Sequence, residues 1–105
     1  MESSPGMRLT VLTGSDDRHQ HRPLHHEIVT RARAAGLAGA TVLRGCEGYG
    51  ASGFVHTDRL LDAADNLPVT VVIVDTEDKI RAFLPRLADL AHVTVLLDHV
   101  EVLRP

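Results

Sequence analysis

The chain has 105 residues, 44% of them hydrophobic and 24% charged, with a formal net charge of −3 at pH 7; that describes one globular domain with one modest core. Only three aromatics (Tyr49, Phe54, Phe83) are present and no basic block occurs, which argues against a nucleic-acid partner. The single cysteine, Cys46, excludes an internal disulfide, and the lack of a long apolar run or hydrophobic leader predicts a soluble cytoplasmic protein.

MESSPG, ahead of Met7, is small and polar and predicts a flexible tail over residues 1–6, leaving 7–105 as the single domain. RLTVL (8–12) reads as a strand closed by the turn-rich TGSDD. Pro23 suits the first turn of a helix, along which Leu24, Ile28, Ala32 and Ala35 recur at helical spacing, and Gly36 stands where a C-terminal cap belongs. ATVL (40–43) is the second strand and VTVVIV (69–74) the third. Thr76 caps a second helix with Glu77 and Asp78 in its electropositive first turn; Ile80, Phe83, Leu84 and Leu87 form its buried face, and Pro85 should kink it. VTVLL (93–97) and VEVL (100–103) make the last strand, with a bulge or break expected at Asp98-His99, where the alternation shifts.

GLAGATVL (36–43) and DLAHVTVL (89–96) share Leu, Ala, Thr, Val and Leu in the same places, each between a helix and the following strand. Two equivalent β-α-β halves in a chain of this length predict a ferredoxin-like α+β fold: a four-stranded antiparallel sheet with both helices on one face. Val71 and Ile73 point one way from the third strand and Val72 and Val74 the other, so both faces are apolar, and the face without helices calls for a cover. Oligomerisation supplies one economically.

Residues 44–67 form a long excursion between the halves, and connections of this length are usually functional or disordered. Within it GYGASG (48–53) spells G-x-G-x-x-G, the fingerprint of dinucleotide-binding turns. That reading requires a parallel sheet and a crossover helix over HTDRLLDAADN (56–66), whose apolar face would be little more than Leu60, Leu61 and Ala64. It would also set Glu47 beside a pyrophosphate, so a ligand-approachable or simply flexible loop is the better reading.

RGCEGYGAS, with GLAGATVL before it and VDTEDKIRAFLP after it, resembles the PII-like proteins of the uncharacterised conserved family that accompanies the nitrogen-regulatory PII proteins. The resemblance runs from Met7 to Arg104. It implies a ferredoxin-like subunit, a homotrimer, and signalling rather than catalysis, with ligand clefts between subunits beside a long loop. PII proteins carry a glycine-aromatic-glycine stretch at the base of that loop, lining an adenine-nucleotide cleft; Gly48, Tyr49 and Gly50 correspond to it, with Ser52 just beyond. Their closing strand carries a phosphate-binding arginine, to which Arg104 is similarly placed. Their glycine- and lysine-rich phosphate loop before the last strand is replaced here by LADLAH (87–92), so AMP is as consistent a ligand as ADP or ATP. The family's association with a fluoride-exporting channel implies that a membrane channel or transporter is a conceivable partner.

The candidate ligand set is therefore Arg44, Gly45, Gly48, Tyr49, Gly50, Ser52 and Arg104, with the two arginines meeting one anion, the glycines admitting it to the backbone, and Tyr49 packing on a base or a neighbouring subunit. Occupancy would order or release the 44–67 loop, which then docks on the partner. HQHRPLHH (19–26) offers a rival: His19, His21, His25 and His26 are metal-ligand types at close spacing, although a solvated helix start explains them as well. Cys46 lacks a flanking base and reads as a buried or half-buried strand cysteine. His56, Thr57 and Asp58 hold the ingredients of acid-base chemistry with nothing to fix their geometry. A small ferredoxin-like enzyme is thus the remaining alternative to a regulatory protein.

Overall fold

The computed structural model describes residues 1–50, 56–57 and 66–105. Its main sheet has four strands, β1 (Glu2–Gly14), β2 (Thr41–Arg44), β3 (Pro68–Asp75) and β4 (Thr94–Arg104), and two helices, α1 (Leu24–Ala34) and α2 (Glu77–Phe83). The strand order is β2-β3-β1-β4 with every neighbour antiparallel, which is the ferredoxin-like arrangement. The two repeated segments run into the edge strands β2 and β4, so the internal similarity marks equivalent places in the two halves. No helix among the described residues is long and apolar enough to cross a membrane.

Period-two alternation sorts the residues between the two faces. In β1 and β3 the pairs Leu9↔Ile73 and Val11↔Val71 point toward the helices. There they meet Leu24, Ile28 and Ala32 of α1 and Ile80 and Phe83 of α2, all buried in one core with Met7, Leu87 and Leu90. The opposite face carries two rows across the sheet, Leu43–Thr70–Leu12–Thr94 and Thr41–Val72–Thr10–Leu96. Val72 is half-buried, while Leu12, Leu43 and Leu96 are 39%, 55% and 48% exposed. No described element covers this face, and threonines are interleaved with the aliphatics.

Three local expectations are corrected. Residues 2–6 are no tail: they extend β1, paired with Val100–Arg104 from Gly6↔Val100 to Glu2↔Arg104. The long C-terminal strand supplies a partner that the tail's composition does not reveal. The bulge at Asp98-His99 is absent, since the register runs unbroken from Leu12↔Thr94 to Glu2↔Arg104. Asp98 stands opposite Arg8, which donates to both of its carboxylate oxygens (3.1 and 2.7 Å), so a polar pair on the open face replaces the alternation. Pro85 ends α2 instead of kinking it: α-helix gives way to a 3₁₀ turn over Leu84–Leu87, because proline has no N–H to donate to the carbonyl four residues back.

The caps follow the sequence more closely. Thr76 Oγ1 accepts from the Lys79 N–H at 3.3 Å. Pro23 is the N-cap of α1, one position before the first turn. At the other end Gly36 takes φ +77°, and Gly36 and Leu37 donate to the Arg33 and Ala32 carbonyls (3.1 and 3.2 Å), a Schellman closure.

One guanidinium ties the two halves together. Arg31 Nε donates to Glu27 at 2.9 Å, and its terminal nitrogens reach both oxygens of Asp89 (2.6 and 3.1 Å) and the Arg86 carbonyl (2.7 Å). Its hydrogen bonds hold the Asp89 carboxyl below the usual carboxylate range, and likewise Glu27, which Arg22 assists. Depressed carboxyl pKa values stabilise the fold fully above the unfolded range and lose that contribution as pH falls through the folded values. Arg31→Met should therefore lower the melting temperature at pH 7 by on the order of 5 °C. Thermal melts from about pH 5 down to about pH 3 should show the wild type losing more stability than the variant, closing the gap between them.

Candidate functional site

The strands β1, β3 and β4 begin or end together where Gly14, Pro68 and Thr94 meet, and the 44–67 excursion leaves the sheet at the same end. A cleft of about 620 Å³ opens there, within the range of small-molecule sites. Its lining includes Gly48, Tyr49 and Gly50 from the excursion, Thr70, Val69 and Pro68 from β3, Leu12, Thr13 and Gly14 from β1, and His92, Val93 and Thr94 at the entry to β4. Asp17 and Asn66 complete the described wall.

This wall is braced from the loop after β1. Asp17 Oδ2 accepts from the Gly14 N–H (2.8 Å) and from Thr13 Oγ1 (2.9 Å), closing the turn. Ser15 and Asp16 donate their N–H groups to the Leu67 carbonyl and to Asn66 Oδ1, both at 2.8 Å, and Ser15 Oγ accepts from the Leu67 N–H at 3.0 Å. The chain returning from the excursion is thereby fastened to the chain leaving β1, which fixes where β3 starts.

The predicted ligand residues divide. Gly48, Tyr49 and Gly50 line the cleft, and Tyr49 is 75% exposed, free to meet a ligand or another chain. Gly45 lies outside the lining and has a packing role: its N–H donates to the Pro68 carbonyl at 2.7 Å, and a β-carbon on it would stand 2.6 Å from Pro68 Cγ. Arg44 pairs with Val69 in β2, on the parity that faces the helices, and its charge acts on His25. Arg104 pairs with Glu2 at the far end of β4. Ten residues separate it from Thr94, about 34 Å of strand, so one chain does not bring Arg44 and Arg104 to a common anion. Ser52 lies outside the described residues.

Within the excursion, Glu47 and Gly48 pair antiparallel with Thr57 and His56. Gly48 thus sits in a small ladder beside an antiparallel sheet, not the parallel one that a dinucleotide fingerprint requires; Gly53 and most of the 56–66 helix of that reading lie outside the described residues. Cys46 is exposed, contrary to the expectation of a buried strand cysteine, because β2 ends at Arg44.

The histidines disperse. Gln20 and His21 occupy the turn of a two-residue hairpin with φ +49° and +72°, the mirror-image turn that right-handed ribbons favour. His19 Nε2 lies 3.1 Å from Arg31 and 3.8 Å from Asp89. His25 stands on α1 with Nδ1 buried and unpaired among the described residues; burial first, then the charges of Arg44, His26 and Arg18, pull its pKa below the ordinary imidazole value. Among the described residues no group of three or more His, Cys, Asp or Glu could hold a metal ion.

Sequence reasoning missed Asp17, Asn66, Thr70, His92 and Thr94. One signal was available: Thr70 and Thr94 are the polar residues in otherwise aliphatic runs, each close to a strand's beginning.

Comparison with known proteins agrees with this architecture. A UPF0166 protein of Aquifex aeolicus is 34% identical over 95 residues, covering 90% of each chain. A UPF0166 protein of Methanocaldococcus jannaschii is 30% identical over 82 residues, 78% of this chain and 75% of that one. Among solved structures, CPII of Thiomonas intermedia K12, a nitrogen regulatory PII-like protein bound to ADP, AMP and bicarbonate, superposes with a TM-score of 0.67 at 19% identity, covering 99% of this chain and 93% of CPII. A protein of Thermus thermophilus described as PII-like superposes with a TM-score of 0.70 at 20% identity, over 97% and 93% of the two chains. The DUF190 family (Uncharacterized ACR, COG1993) matches residues 6–102, so this chain, with its PII-like ferredoxin fold, belongs to that family.

Proposed function

We propose that the protein is a PII-like regulator that binds an adenine nucleotide in the cleft at the base of the 44–67 excursion, in a homotrimer whose subunits share that cleft. The observation that carries this reading is the cleft itself: a glycine-tyrosine-glycine rim on the excursion faces a threonine-bearing wall at the end of the sheet. Glycine N–H groups and threonine hydroxyls suit phosphate oxygens, and an exposed tyrosine suits a base. CPII, whose fold this chain shares, is bound to ADP and AMP. Arg104, remote from the cleft in its own chain, meets it from a neighbouring subunit. That neighbour also covers the aliphatic-threonine sheet face.

The role is regulatory, with occupancy of the cleft altering how the excursion docks on a partner protein. AMP, ADP or ATP should raise the melting temperature. Gly50→Val should abolish the shift without unfolding the chain, because a β-carbon at Gly50 meets nothing within 4 Å. Arg104→Ala should do the same while the trimer persists. A thermal-shift panel that moves with none of the three nucleotides would overturn the nucleotide reading and leave the fold intact.

A further inference from the structure

The cleft's charge inventory is small. Among its described lining residues there is no lysine or arginine; Asp17 is the only carboxylate and His92 the only imidazole. Asp17 is committed to Thr13 and Gly14, and its carboxylate stands at the wall. A ligand with several phosphates would face that carboxylate with little to offset it.

His92 is held in an unusual way. Its φ is +63°, in the left-handed region that costs every residue but glycine. The other two described non-glycine residues with positive φ, Gln20 and His21, form a hairpin turn that demands it. His92 lies in no such two-residue hairpin: it stands two residues before β4, and its imidazole makes no hydrogen bond to a described residue. Glycine would take this conformation with less strain, so the backbone does not require a histidine. The side chain's position does, because it lines the cleft.

Building on the nucleotide reading above, we propose that His92 contacts the phosphate from the cleft's own chain, beside the glycine N–H groups and threonine hydroxyls, and that the cleft selects a nucleoside monophosphate over a triphosphate. A phosphomonoester carries about two negative charges. An imidazole N–H donor and one guanidinium from the neighbouring subunit suit the oxygens of a single phosphate, whereas the described lining offers the added charge of a triphosphate no cation beside Asp17. Backbone strain retained at a ligand contact is a recurrent feature of functional sites.

Titration calorimetry with AMP, ADP and ATP on the wild type, His92→Gly and His92→Lys tests this. The wild type should bind AMP about tenfold or more tightly than ATP. His92→Gly should keep or raise the melting temperature, since strain is relieved, yet lose about tenfold in AMP affinity; a purely structural histidine would not separate the two readouts. His92→Lys should shift the preference toward ATP. Tighter binding of ATP than AMP by the wild type, or undiminished AMP binding by His92→Gly, overturns the proposal while nucleotide binding stands. Binding of none of the three overturns both.

Discussion

Val72→Asp should give a folded chain that no longer assembles, whereas Ile73→Asp, one residue further along the same strand, should not fold. Ile73 is 1% exposed in the core between sheet and helices. A carboxylate there has no partner, and its desolvation costs several kcal/mol, comparable with the roughly 5–15 kcal/mol that holds a domain together. Val72 points to the other face, between Thr10 and Thr41, and is only half-buried in the single chain. An aspartate at that position reaches water until a second chain closes over it. Light scattering should therefore report three times 11.4 kDa for the wild type and a monomer for Val72→Asp. Circular dichroism should show native secondary structure for Val72→Asp and its loss for Ile73→Asp. Val72→Asp running at the wild-type mass would show that the open face is not the contact.

Mixing two inactive variants should restore nucleotide binding. Gly50→Val damages the rim contributed by one subunit, and Arg104→Ala removes the guanidinium contributed by its neighbour. When the two variants are refolded together into a cyclic trimer, about one interface in four joins an intact rim to an intact arginine. That fraction of the wild-type binding capacity should return, with the wild-type affinity. If both residues acted within one chain, no mixture could recover binding, and the distance along β4 from Thr94 to Arg104 already opposes that arrangement. Equilibrium dialysis with labelled AMP reads the capacity directly.

The ferredoxin-like fold was legible because its determinants are local. The β-branched run VTVVIV, helical spacing through Leu24, Ile28 and Ala32, and caps at Gly36 and Thr76 each act over a few residues and agree with one another. The internal similarity of 36–43 and 89–96 then gave the two halves. What was illegible depends on partners remote in sequence. Residues 2–6 become strand because Val100–Arg104 lies alongside, and the partner of Asp98, Arg8, stands across the sheet on another strand. Cross-strand register is not written in either segment alone.

The site divides along the same line. Gly48, Tyr49 and Gly50 were visible as a motif, and the structure seats them at the cleft. Gly45 looked equivalent to them but packs on Pro68, a contact made across 23 positions of sequence. Asp17, Asn66 and His92 come from three separate loops that only the sheet's end brings together. The left-handed backbone of His92 has no sequence signature, since LADLAH carries no glycine or asparagine to mark it.

Titration of AMP into the wild-type protein, followed calorimetrically while light scattering monitors mass, tests the central claim most directly. A shared cleft repeated around a trimer predicts saturable binding with one AMP per chain, three per particle, and no change in mass on saturation. Absence of saturable binding by a monodisperse trimer, or binding that persists unaltered in a monomeric Val72→Asp variant, would contradict a nucleotide cleft built between subunits.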